Sequence, residues 1–212
     1  MLYHFLKRAI DIFASLSLGI VFLPICLVTA IAIKLETTGP ILADTPPRVG
    51  KDGKSFKFYK FRSMIVGAHD LLHSDPKFRK LLEEYKKSSY KLQEDPRWTK
   101  VGKIIRKYSI DEVPQLINVL RGEMSIVGPR PYYPDELEEQ QEKYPETRVL
   151  VEKVLSVKPG ITGAWQVSGR SEINFDKRIA MDASYAERES VLYDIIIIAK
   201  SPWAMISGKG AV

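Results

Sequence analysis

"IFASLSLGIVFLPICLVTAIAI", residues 12–33, runs for 22 positions without a charged side chain. Whether it crosses, enters or avoids a membrane governs the architecture of the rest of the chain. At about 1.5 Å per residue a straight helix of this length reaches about 33 Å, enough to cross a bilayer core. Three readings compete. Lys7 and Arg8 precede the run and Ala30-Ile31-Ala32 imitates a cleavage site, as in a signal peptide. The stretch is long for a signal, however, and a lone thiol, Cys26, favours a reducing, cytosol-facing location. An ordinary spanning helix is the second reading. The third is a re-entrant hairpin, which Pro24 favours by removing the bond to the Ile20 carbonyl. The arms at 12–23 and 25–33 would be about 18 and 14 Å, each about half a bilayer core. Basic residues lie on both sides, Lys7 and Arg8 before the run and Lys34, Arg48, Lys51, Lys54 and Lys57 after it. A hairpin keeps both flanks in the cytosol, as the positive-inside tendency prefers. Ser15, Ser17 and Thr29 are placed to bond carbonyls freed at the bend. The expected organisation is a membrane segment over 1–36 followed by one domain over 37–212.

The totals agree with a folded protein of that size. The chain has 212 residues, 45% of them hydrophobic, and a net charge of +6. That rules out a disordered tail and points to a polyanionic partner. Nucleic acid, anionic lipid and phosphorylated small molecules all satisfy the charge.

The chemistry concentrates in "SIDEVPQLINVL", residues 109–120, which sets Asp111 beside Glu112 at the head of an apolar run. Ser109 and Glu112 match the capping box of a helix start, and Asp111 would favour the helix dipole. That structural role accounts for either acid singly and leaves the pairing unexplained. Upstream, Asp52-Gly53 signals a hairpin, followed by alternation through Phe56, Phe58, Lys60 and Arg62. Gly53-Lys54-Ser55 imitates a P-loop, but Arg48 replaces its first glycine and no helix pattern follows. His69 and His73 have helical spacing without a third metal ligand. Residues 77–91 read as a basic amphipathic helix, at the membrane surface or against the core. Arg130 stands between two prolines and Arg170 follows Gly169, rigid or open turns suited to bidentate phosphate contacts. Trp203, near the C-terminal end, reads as core or as an interfacial anchor.

Taken together, "YKFRSM" at 59–64, "DPRWTKVGKIIRKYSIDEVPQLINVLRGEMSIVGPRP" at 95–131 and "KPGITGAWQVSGR" at 158–170 resemble the bacterial sugar transferases, the monotopic phosphoglycosyl transferases. The likeness covers nearly the whole chain. It implies an α+β fold, mostly helical, with a small β-hairpin, a proline-broken re-entrant membrane helix and interfacial helices. It also implies transfer of a phosphosugar from a UDP-sugar to polyprenyl phosphate with Mg2+, at the cytoplasmic face of the bacterial inner membrane. On this resemblance Asp111 is the covalent nucleophile and Glu112 a magnesium ligand or base. Lys60, Arg106, Arg130 and Arg170 would bind phosphates or nucleotide. Asp182, in "DASY", matches a family acid with an open role. Nucleic acid then drops out as a partner, and a homodimer stays compatible with the sequence. The chain departs from the family at Leu23, often serine, at "ADTPPRVG" in place of a glutamine-containing stretch, and at Trp165-Gln166, where the usual order is permuted. The rival is a non-enzymatic basic protein on an anionic membrane or nucleic acid, which has no use for paired acids.

Overall fold

The structure, a computed structural model, describes residues 2–87, 92, 94–168 and 174–206. Its first element, α1 (Leu2–Glu36), is a single helix that passes through Pro24. The expected division into two arms is therefore not seen as an interruption of the helix. A proline removes one N–H bond and bends the axis, and the turns on either side hold the helical path. Nor do the hydroxyls serve the bend as anticipated: Ser15 is buried with no partner for its Oγ among the described residues.

The pattern on α1 is inverted relative to a soluble helix. Asp11, Ser15 and Thr29 are turned into the protein, whereas Phe13, Ile20 and Val21 are 76%, 74% and 71% exposed. Among the described residues it is the one helix long and apolar enough to cross a membrane. Both of its ends are tied to the same body. Lys7 Nζ donates to Asp194 Oδ2 at 2.8 Å and to the Val127 carbonyl at 2.9 Å. Arg8 donates to the carbonyls of Val119 and Leu120. Asp11 Oδ1 accepts from Ser125 Oγ and the Ile126 amide. At the far end the Glu36 carboxylate accepts from the Lys100 and Val101 amides, capping α4 (Lys100–Lys107) from outside. Thr99 completes that cap by accepting from the Gly102 amide.

The hairpin forms where Asp52-Gly53 places it. β1 (Arg48–Val49) pairs antiparallel with β2 (Ser55–Phe56), and Asp52 and Gly53 both take positive φ in the turn. Beyond Phe56 the strand gives way to an extended segment joined by single bridges, Leu42 to Phe61 and Met64 to Trp98. α4 lies directly on that segment. A Cβ on Gly102 would stand 1.9 Å from the Ser63 carbonyl oxygen, so only glycine permits the approach.

Two short helices follow the extended segment, α2 (Ala68–Ser74) and α3 (Arg79–Lys87). α3 begins two residues later than the 77–91 reading, whose end lies outside the described residues. α5 (Gln115–Arg121) precedes β3 (Ser125–Val127), which pairs in parallel with β4 (Gly160–Thr162). α6 (Pro134–Lys143) and α7 (Arg148–Leu155) fill the crossover between these strands. α8 (Phe175–Arg188) and α9 (Val191–Ile206) complete the order. One core joins the hairpin, α5, β3 and α9 through Phe56, Leu116, Met124 and Ile197. A second packs α6, α7 and α8 around Leu137, Val151 and Ile179, and a third joins α1 to α4 through Ile33 and Ile105. Trp203 projects from α9 at 76% exposure, which removes it from the core. The outcome is α+β and mostly helical, as expected.

Candidate active site

Asp111 and Glu112 do not open an α-helix. They lie in a 3-10 turn, Ile110–Glu112, between α4 and α5. Ser109 adopts φ 55 and ψ 23 and makes no side-chain cap, so the capping box read from the sequence is absent. A non-glycine residue in the left-handed region carries strain of about 1 kcal/mol or more, the kind of backbone cost found beside functional groups. The turn is held by the Phe61 amide, which donates to the Asp111 carbonyl at 2.9 Å. This bond brings the "YKFRSM" segment against the acid pair. The two carboxylates differ sharply in environment, Asp111 being 6% exposed and Glu112 open to solvent. Burial, with help from the neighbouring Glu112 charge, pushes Asp111 up to about 6 against the pull of Lys60 and Arg106.

The pair lines a cleft of about 780 Å³ that also takes in Lys60, Arg106 and Arg130. Five of the seven site residues read from the sequence thus meet in one cavity. Arg106 packs its guanidinium over the Trp98 ring at 5.0 Å and acts on Asp111. Lys60 is half-buried, and burial lowers its pKa despite the nearby Asp111 and Tyr133. Arg130 comes from the "GPRP" turn at the end of β3, its guanidinium 5.9 Å from the Trp165 ring. That turn is closely backed: a Cβ on Gly160 would meet the Gly128 nitrogen at 2.0 Å.

Asp182 is placed differently. It is fully buried on α8 beneath the turn, outside the cleft lining, and accepts from the Arg130 amide and the Tyr132 hydroxyl at 3.2 and 3.1 Å. Burial pushes it up to about 7. Through these contacts it supports the Arg130 backbone. Arg170 lies outside the described residues. His69 and His73 lie against each other with tilted rings, centroids 4.4 Å apart, and among the described residues no three His, Cys, Asp or Glu side chains converge as metal ligands.

Residues passed over in the sequence also line the cleft. Arg48, counted there as a flanking charge, is 6% exposed with its Cζ 3.1 Å from the Tyr133 ring centroid. The connection runs through the hairpin, since the Val49 amide donates to the Tyr132 carbonyl. A basic residue opening a hairpin strand was the available signal. Leu18 and Phe22 of α1, with Ile198 and Pro202 of α9, give the cleft an apolar wall. Asp11, one place before the apolar run, was the other omission, and a charge at that boundary marks a tether.

Comparison with known proteins identifies the relatives of this chain. Residues 2–208 match the family described as bacterial sugar transferase. The chain is 41% identical over 212 residues to the undecaprenyl-phosphate galactose phosphotransferase of Salmonella typhimurium, covering 98% of this chain and 42% of that protein. It is 40% identical over 201 residues to the UDP-glucose:undecaprenyl-phosphate glucose-1-phosphate transferase of Escherichia coli, covering 91% and 38%. With the exopolysaccharide production protein ExoY of Rhizobium meliloti it shares 37% over 205 residues, 97% of this chain and 87% of that one. The chain thus spans about two fifths of its longer relatives and most of the shorter one. With the family match extending across almost every position and a relative of similar length sharing more than a third of its residues, this chain belongs to the bacterial sugar transferase family.

Proposed function

We propose that the chain transfers a phosphosugar from a UDP-sugar to polyprenyl phosphate, giving polyprenyl-diphospho-sugar and UMP through an aspartyl-phosphosugar intermediate on Asp111. The observation that carries this reading is a buried carboxylate facing Lys60 and Arg106 in a cleft with one apolar wall. The names of the Salmonella and Escherichia coli relatives add undecaprenyl phosphate as acceptor and, for the latter, UDP-glucose as donor.

In this mechanism an Asp111 oxygen attacks the sugar-bearing phosphorus. The new O–P bond forms as the bond to UMP breaks, and the electron pair leaves on the UMP phosphate. A prenyl phosphate oxygen then attacks the same phosphorus and returns the pair to Asp111. With a pKa near 6, Asp111 is mostly ionised at neutral pH, as a nucleophile must be. Lys60 and Arg106 reduce the repulsion between the attacking carboxylate and an anionic donor.

Asp111 and exposed Glu112 also fit a magnesium ion. Mg2+ characteristically takes one or two protein carboxylates and completes its shell from water and substrate phosphates, so two adjacent acids without further ligands suit it. Bound there, it would neutralise diphosphate charge. Glu112 is then its main protein ligand and Asp111 the group left to react.

The outward apolar face of α1 belongs in lipid, and its two ends bond to one polar body, which supports insertion without a crossing. The enzyme then sits on the cytoplasmic face of the inner membrane, with the cleft wall formed by Leu18 and Phe22 as the side that would take the prenyl chain. The test incubates purified protein in lipid nanodiscs with Mg2+, polyprenyl phosphate and a panel of UDP-sugars. UMP release and a phosphosugar adduct on Asp111 are expected, and Asp111→Asn should abolish both. Full turnover by that variant would remove the nucleophile assignment.

A further inference from the structure

Arg48 has no carboxylate partner among the described residues. Its Nη1 reaches the Pro131 carbonyl at 3.4 Å, its flat face rests on Tyr133 and Phe58, and its buried Nε has no acceptor. Other buried arginines are held more firmly, although Arg62 Nη1 and Arg178 Nε are likewise buried without an acceptor. Arg97 grips Asp95, Arg178 holds Glu136 at 2.9 Å, and Arg62 donates to the carbonyls of Pro40 and Thr37. A guanidinium withdrawn from water with a single long bond is costly, and one that also lines an open cleft is suited to receive an anion there.

A second orphan lies beside it, since Arg130 Nε is also buried without an acceptor. Both arginines line the cleft that holds Asp111. The Tyr133 hydroxyl registers the excess of positive charge. Burial raises its pKa, but Arg48, Lys60 and Arg130 outweigh that and hold it below the ordinary tyrosine range. The carboxylate that acts on this position, Glu136, is already held by Arg178. Lys60 acts on Asp111 as well as on Tyr133, and so bridges the two positions.

We propose that Arg48, Tyr133 and Arg130 form a second phosphoryl subsite, joined to the Asp111 position by Lys60, for a phosphate monoester. The inference rests on the reaction proposed above and deepens it. In-line displacement puts the leaving UMP phosphate opposite Asp111, and the second step runs along the same line in reverse. The prenyl phosphate therefore enters where UMP left. Both are phosphate monoesters, so one guanidinium pair serves each in turn. Tyr133 keeps the Arg48 plane oriented and supplies a hydroxyl donor.

The experiment uses the full chain in nanodiscs, wild type against Arg48→Lys and Tyr133→Leu, with thermal unfolding to show that each variant is folded. Arg48→Lys keeps the charge and loses the fork, whereas Tyr133→Leu removes the stack. Binding of UMP should weaken about tenfold, equivalent to about 1.4 kcal/mol, while uridine binding stays unchanged. UMP release from the donor and discharge of the adduct to prenyl phosphate should both slow. Wild-type UMP affinity in the folded variants, or a defect confined to one half-reaction, would overturn the proposal. Should Arg48→Lys not fold, Tyr133→Leu carries the test. UMP binding also reads the subsite if no donor is turned over, so loss of the reaction and loss of the subsite are told apart.

Discussion

Replacing Asp111 by asparagine should stabilise the protein while stopping the reaction. The folded carboxylate is raised from 3.8 to about 6, chiefly by burial and then by Glu112. An acid whose pKa is raised on folding weakens the fold as it ionises: the loss begins above the unfolded value and is complete above the folded one. Two pKa units correspond to about 3 kcal/mol at pH 8, or about 6–12 °C in melting temperature for a chain of this size. Asparagine resembles the protonated acid in shape and carries no charge, so the variant escapes the loss. Its advantage should shrink to about half at pH 5 and to about a fifth at pH 4, where the folded acid is neutral and the unfolded one only partly ionised. Melting curves of both proteins in one detergent, taken between pH 4 and pH 8, measure it. Equal stability at pH 8, or a difference that does not change with pH, would refute the electrostatic account of this site.

Donor turnover at low substrate should fall as pH drops through about 6, because protonated Asp111 cannot attack, and a pH–rate profile reads this directly. Gly102→Ala should destabilise by about 1–3 kcal/mol or more, since its Cβ meets the Ser63 carbonyl, and a lowered denaturation midpoint would show it. Glu36→Ala removes the acceptor for two α4 amides and should cost about 1 kcal/mol, seen as faster amide exchange at Lys100 and Val101. Asp182→Asn keeps an acceptor for the Arg130 amide and Tyr132 hydroxyl and should stay active, whereas Asp182→Ala should lower kcat; equal activity of the two would remove the supporting role.

What could be read in advance depended on how local its cause was. The hairpin was legible because Asp52 and Gly53 supply positive φ within the turn itself. Asp111 and Glu112 were found, but their setting was not. A capping box and a strained 3-10 turn can share the S-x-x-E pattern, and the difference lies in the backbone of Ser109. Arg48 was read only as a flanking charge because its environment comes from Tyr133, reached only when Val49 bridges to Tyr132. That α1 runs on through Pro24 follows from the helical turns on either side, since the loss of one N–H bond need not end a helix.

The fastenings at both ends of α1 turn it into a gauge of fixed length. Between Asp11 and Glu36 the outward side chains face no protein partner and can be exchanged for others of similar oiliness. Inserting or deleting one residue there would swing Glu36 about 100° around the axis and detach it from α4. Across homologues this stretch should accordingly drift freely in composition while keeping the same number of residues.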